Sequence, residues 1–449
     1  LTRLLDEPEL VRAVQSLDAR RLGQLVNHLG LEDSGEILSL ATTDQIAQVF
    51  DEDLWRPAGL GQDESFDGDR FALWLEVMLE AGDDFTARRL TELDPDLVTL
   101  AFLKQVLVID LDALAVEIAE GRDAGGLSEA DLTEKALESC LSHEIGAYQV
   151  IARRPESWDA ILTALVALDK DHHDLLERLL ERCCQICAGT IEESGGLYQA
   201  LTGGEMLESD VGGDREQRRE RQGFVAPSAA TSFLNLAVMT ELAAILDARE
   251  ADPITKGYFR TYETRPAARS GGAPPQPAEQ PENDAAARSL ARLNEALREV
   301  AAQAEEPAMT ALPRLEAGEA SGDADASADS HGTETAAARR FRAALRSISD
   351  HDAALAAKRL GELSYIANVV ISGCRWADRR VRPAEATEIV VAVCGRGLDW
   401  LIERSGKADA DALAQRLVTE LDAVKLFRAG WKLLDEEHAL PAGLRWDRR

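Results

Sequence analysis

"LVRAVQSLDARRLGQLVNHLGLEDSGEILSLATTDQIAQVF", residues 10–50, sets the fold class. Leu10, Val11, Val14 and Leu17, then Leu22, Leu25, Val26 and Leu29, recur at helical spacing, so each segment carries one apolar stripe. Helix starts punctuate the stretch. Asp6 and Asp18 precede the first two segments, Asp33 and Ser34 the third, and Thr42 with Gln45 forms a capping box before "IAQVF". Starts about 12 residues apart predict short helices that are not stable alone and must bury their stripes on one another. The expectation is a stacked, superhelical array.

The same signals continue along the chain. Asp94 and Pro95 form an N-cap and N1 pair opening "DLVTLAFLKQVLVI", and Ser157 opens "WDAILTALVAL". From residue 264 the composition changes to "RPAARSGGAPPQPAEQPEND", and later to "EAGEASGDADASADSHGTETAA". Such segments bury too little apolar surface to offset chain entropy and are expected to be disordered. Between them Leu290, Leu293, Leu297 and Val300 predict one helix near 284–305. Order is expected to resume with "RRFRAALRSISD", "DAALAAKRLGELSYIANVVISGC", "RPAEATEIVVAVCGRGLDWLIER" and "DALAQRLVTELDAVKLFRAGWKLLDEE", read as four helical segments, the third opened by Pro383. The expected architecture is all-α: a short-helix superhelical domain at 1–125, a second helical domain at 126–263, an acidic, Pro/Ala/Gly-rich linker at 264–336, and a helical bundle at 337–449. Limited proteolysis of the full chain is expected to cut first within 265–336 and to release soluble, helical fragments. Resistance there with cleavage elsewhere would refute that boundary.

Composition narrows the function. The 449 residues include 81 acidic and 49 basic side chains, a formal charge of −32, which repels nucleic acid and anionic lipid surfaces. No apolar run approaches the roughly 20 residues that span a bilayer, so no membrane span is expected. The chain opens at Leu1 with neither an initiator Met nor a charged-then-apolar leader, so trimming of the native start stays open and the cytoplasm is the default location. Six cysteines without framework spacing read as reduced thiols.

Three groups of residues invite a chemical reading. "DHHDLLERLLERCCQIC", 171–187, holds two histidines and three cysteines, but about 1.5 Å of rise per residue puts His173 and Cys184 roughly 16 Å apart. Cys183 and Cys187, one turn apart, could supply two zinc ligands; the paired CxxC spacing that makes zinc specific is absent, and both continue the leucine stripe of a core helix. "DESFDGD", 63–69, imitates a calcium loop through Asp63, Asp67 and Asp69, with Trp74 where the closing Glu belongs. Tyr258, Arg260, Tyr365, Asn368 and Trp431 are candidates for ligand or partner contact between helical modules; ordinary packing is the competing reading. "REQRRERQGF", 215–224, is the one dense basic run, and His28, His143 and His351 stand alone. No catalytic residue, cofactor-binding motif or cofactor is assigned: phosphate-loop, dinucleotide, nucleophile-elbow and HExxH patterns do not occur.

Several stretches carry a resemblance. "KRLGELSYIANVVISGCRWADRRVRPAEATEIVVAVCGRGLDWL" at 358–401 and "LFRAGWKLLDEE" at 426–437 resemble the C-terminal part of a bacterial family of unknown function. Residues 10–55 resemble its start, and "RQGFVAPSAATSFL" at 221–234 and "GYFRTYETR" at 257–265 its middle, although "VAPSAATS" departs from the acidic and aromatic pattern usual there. The resemblance implies a helical fold and a bacterial source and brings no activity, cofactor or site residue. The short-helix rhythm at the start is also similar to the cytosolic superhelical domain of bacterial magnesium transporters; the nucleotide-sensing pair and membrane part of those proteins are missing here, so transport is not implied. A non-enzymatic interaction or scaffold protein with a protein partner of unknown identity is the leading expectation. An enzyme or small-ligand sensor with a pocket between helical modules is the alternative, and a divalent-cation sensor the third reading.

Overall fold

Asp18 accepts a hydrogen bond from the Arg21 amide and so starts one of the short helices that the opening stretch predicts. The computed structural model describes residues 10–113, 116, 140–192, 202–263, 335–406, 409–441 and 443–448. The expected linker, its helix near 284–305 and the start of the second expected domain therefore lie largely outside the described residues. The described chain is helical with a few short strands. It divides into two compact units, one of residues 10–56 and 65–215, the other of residues 57–64, 216–263 and 335–448.

The first unit opens with α1 (Leu10–Gln15), α2 (Ala19–Leu29), α3 (Gly35–Leu40) and α4 (Thr43–Asp53). The Thr42–Gln45 capping box forms as expected, and Gln45 does more. Its Nε2 donates to the carbonyls of Val14 and Leu17, tying the start of α4 to the end of α1. A hairpin of β1 (Trp55–Pro57) and β2 (Glu64–Phe66) leads to α5 (Gly68–Glu80), α6 (Asp83–Glu92) and α7 (Pro95–Gln105). Asp94 caps α7 as its sequence promises. The helix nevertheless stops at Gln105, where the sequence reads one helix through "VLVI". Val106–Asp110 instead forms β3, paired antiparallel with β5 (Tyr148–Ala152), which also pairs with β4 (Ser142–Ile145). Three β-branched residues in a five-residue run favour the pleated surface. Helices α8 (Trp158–Asp171) and α9 (His173–Glu192) follow, with the greater part of α10 (Gly203–Glu220). Phe50, Phe71, Trp74 and Phe102 meet edge to face in the core, with centroids 5.1 to 6.3 Å apart.

In the second unit α11 (Pro227–Met239), α12 (Leu242–Asp247) and α13 (Pro253–Glu263) accompany a bundle of α14 (Ala336–His351), α15 (Ala353–Gly373), α16 (Pro383–Ser405), α17 (Ala410–Glu420) and α18 (Ala423–Glu436). The last expected segment thus divides in two. Asp422 caps α18 through the Lys425 amide and interrupts a periodicity that runs on across the break. Helix α16 lies against α14, α15, α17 and α18. Strands β6 (Cys374–Trp376), β7 (Arg379–Arg380) and β8 (Leu444–Trp446) form a small antiparallel sheet in the order β7-β6-β8. Among the described residues no helix is long and apolar enough to cross a membrane.

Candidate functional site

The cysteines of α9 point into the core of the first unit. Cys183 is fully buried and lies 3.9 Å from the Thr99 carbonyl, while the Arg153 guanidinium lies 3.8 Å from the sulfur of Cys187. Burial pushes the Cys183 thiol up to about 12, and Cys374 of the second unit to about 12 as well; Cys394 is raised by burial too. Thiolate is the form that attacks reagents and binds metals. Titration of the native chain is therefore expected to show one fast thiol, the exposed Cys140, and a slower, half-buried Cys184. Cys183, Cys187, Cys374 and Cys394 should react only on unfolding. Fast reaction of Cys183 or Cys187 would contradict the packed arrangement. Cys183 and Cys374 also fix a sign. Their folded values lie above the ordinary one near 9, so the stability they lend is complete below pH 9 and is lost as the pH rises from about 9 towards about 12.

The carboxylates of "DESFDGD" are each already engaged. Asp63 accepts from the Ser228 amide at 3.1 Å, Asp67 caps α5 through the Arg70 amide and pairs with Arg56, and Asp69 pairs with Arg154. Trp74 is a core side chain whose indole donates to Asp53 at 2.6 Å. Among the described residues, no group of three or more His, Cys, Asp or Glu side chains is placed to hold a metal ion. Millimolar magnesium or calcium is accordingly expected to shift the melting temperature no more than monovalent salt of equal ionic strength. A saturable shift at low ion concentration, abolished by Asp67→Ala, would establish a cation site.

Of the five contact candidates, Tyr365 and Trp431 belong to the core of the second unit, Tyr258 packs against it, and Asn368 is half-buried. Tyr258 and Asn368 converge on one backbone atom, the carbonyl of Gly223, donating at 3.2 and 2.7 Å. They hold the turn between α10 and α11, where Gly223 has a φ of 95°. Tyr365 is fully buried, its ring 4.5 Å from that of Tyr258 and its hydroxyl 3.3 Å from Thr255 Oγ1. Thr255 in turn donates to Asp252, which faces Arg428 at 3.6 Å. Burial raises the Tyr365 hydroxyl above the ordinary phenol value. Trp431 stacks on Phe427 at 5.6 Å and meets Trp446 edge-on at 5.7 Å. Arg260 alone is exposed.

"LFRAGWKLLDEE" also has a physical reading. On α18 the cations Lys425, Arg428 and Lys432 recur at helical spacing, and two of them meet helix ends. Lys432 donates to Val238 O in the last turn of α11, and Lys425 to Ala248 O just past α12, each at 2.7 Å. Carbonyls at helix C-termini lack intrahelical partners and carry partial negative charge, so cations there stabilise. In the basic run, Arg215 is buried, donates to Asp51 O and lies 4.7 Å over Trp55, while Arg219 pairs with the buried Glu64 at 3.1 Å and covers Phe224.

One cluster escaped the sequence reading. Arg375, Arg380 and Arg445 come from the three strands of the sheet β7-β6-β8, and the register sets Arg375 opposite Arg380 on one side and opposite Arg445 on the other. The signal was present as two similar triplets, "CRW" and "LRW", at 374–376 and 444–446. Nothing short of the strand pairing joins them.

Residues 1–199 match a family of unknown function, DUF6178. The stretches at 221–234, 257–265, 358–401 and 426–437 lie beyond the matched residues. No curated protein and no solved structure matches the chain.

Proposed function

We propose that this is a non-enzymatic interaction protein that binds a protein partner through its helical units and the small sheet. The observation that carries the reading is the β7-β6-β8 sheet, which sets three arginines directly across from one another. Like charges in that position destabilise a sheet and contribute nothing to a core. Such an arrangement fits a surface kept for recognition. The candidate side chains support the same reading: Tyr258, Tyr365, Asn368 and Trp431 hold helices and turns together. The formal charge of −32 disfavours nucleic acid as the partner. We place the protein in a reducing compartment, the cytoplasm, because its cysteines are free and mostly buried. Capture of the tagged full chain from native lysate, read by mass spectrometry, is expected to return a stoichiometric protein partner. A co-purifying small molecule in place of a protein would overturn the reading in favour of an enzyme or ligand sensor.

A further inference from the structure

Residues directly opposite in an antiparallel pair share a face, and neighbours along a strand alternate. Cys374 and Trp376 therefore lie on one face of β6, with Trp446 and Leu444 opposite them. Cys374 is buried in the bundle core, and the other three pack against it. The other face carries Arg380, Arg375 and Arg445 in one row. With strands about 4.8 Å apart, the row spans about 10 Å.

The row is short of negative charge. Glu64, 5% exposed, receives Arg380, yet it is shared with Arg219, which lies outside the row. Among the described residues, no carboxylate lies within ion-pair distance of Arg375. That guanidinium donates to the Cys374 carbonyl at 3.3 Å; burial, and next the nearby Arg380 charge, hold its pKa below the usual arginine value. Arg445 pairs at 2.9 Å with Asp378, but the two side chains are 66% and 75% exposed, where such a pair contributes little. An excess of positive charge is therefore concentrated on one small surface of a chain whose formal charge is −32.

We propose that this arginine row docks a carboxylate-rich segment of a partner protein. The proposal rests on the interaction-protein reading and names the chemistry of the partner. Glu64 already illustrates the fit: a carboxylate is received there by two guanidiniums, whose planar donors match its two oxygens. A long polyanion is disfavoured by a chain whose formal charge is −32. A short acidic segment engages only the row, and at about 0.15 M salt the screening length of roughly 8 Å mutes the more distant carboxylates.

The test uses the full chain and a fluorescein-labelled decapeptide of alternating glutamate and glycine, followed by fluorescence anisotropy at about 0.15 M salt. Saturable binding is expected, weakened about ten-fold or more by Arg375→Gln and by Arg445→Gln, and unchanged by Arg221→Gln in the basic run outside the row. Arg445 is exposed, so its variant keeps the fold, and circular dichroism checks Arg375→Gln. Absence of saturable binding, or equal binding by both row variants, would overturn the proposal. Tighter binding of a ten-nucleotide single-stranded DNA than of the peptide would also overturn it and assign the row to phosphate polyanions. Should Arg445→Gln still capture the parent's partner from lysate in full, the row proposal fails while the interaction reading stands.

Discussion

Gly430→Ala is expected to destabilise the second unit by about 3 kcal/mol or more, at the upper end of overpacking costs. A Cβ on Gly430 of α18 would overlap the Val393 carbonyl of α16 and stand 3.0 Å from the Gly397 amide nitrogen. The contact is reciprocal. A Cβ on Gly397 would overlap the Leu426 carbonyl and stand 3.0 Å from the Gly430 nitrogen. The obstacles are backbone atoms on both sides, so no rotamer change can relieve the clash, and one helix must move. Movement is blocked on the far side of α16 too, where a Cβ on Gly395 would come within 2.7 Å of the Ala337 carbonyl carbon and oxygen of α14. Gly397→Ala should therefore cost about as much as Gly430→Ala. Gly361 of α15 has open space around its Cβ position, and Gly361→Ala should stabilise by up to about 1 kcal/mol through helix propensity alone. Urea unfolding of the full chain, followed by far-ultraviolet circular dichroism, separates the three variants. A Gly430→Ala protein unfolding at the parent's midpoint would show that α16 and α18 do not cross this closely.

That crossing illustrates which parts of the fold were legible. Caps are local, so Asp18, the Thr42–Gln45 box, Asp94 with Pro95, and Pro383 could be read directly. The apolar stripes of α2 and α4 are local as well. What failed was information carried by a partner. "VLVI" after Gln105 suits helix or strand until β5 supplies its hydrogen bonds. Gly397 and Gly430 read as poor helix formers until each is set against the other. The row of Arg375, Arg380 and Arg445 exists only in the register of strands about 70 residues apart in sequence. The candidate site residues show the converse. Cys183 and Cys187 drew notice for their chemistry, while burial in a core assigns them to packing.

The buried pair Arg359–Glu362 carries the other large expectation: truncation of either residue to alanine should cost about 3–5 kcal/mol. Their side chains, one turn apart on α15, are 4% and 6% exposed. Arg359 Nη1 donates to both Glu362 oxygens at 2.9 and 3.1 Å, while its Nε and Nη2 reach the Val418 and Thr419 carbonyls at 2.9 and 3.0 Å. Glu362 accepts from the Ala423 amide at 2.8 Å. The arginine thus meets unpaired carbonyls at the end of α17, and the glutamate an unpaired amide at the start of α18. Together they clasp the junction at which the apolar periodicity gives no warning of a break. Because each charge is satisfied by the other, removing either leaves its partner buried and uncompensated. The double alanine variant should therefore cost clearly less than the sum of the two single variants. Additive costs would show that the two side chains act independently. A pH series supplies a second check. Burial raises the Glu362 carboxyl above its ordinary 4.5, against the opposing pull of the Ala423 amide and Arg359. A raised folded value means that the contribution of this group is complete below 4.5 and declines as the pH rises through the folded value. Glu362→Gln cannot titrate, so its deficit relative to the parent should narrow over that rise. A deficit that widened instead would mean that attraction to Arg359 outweighs burial.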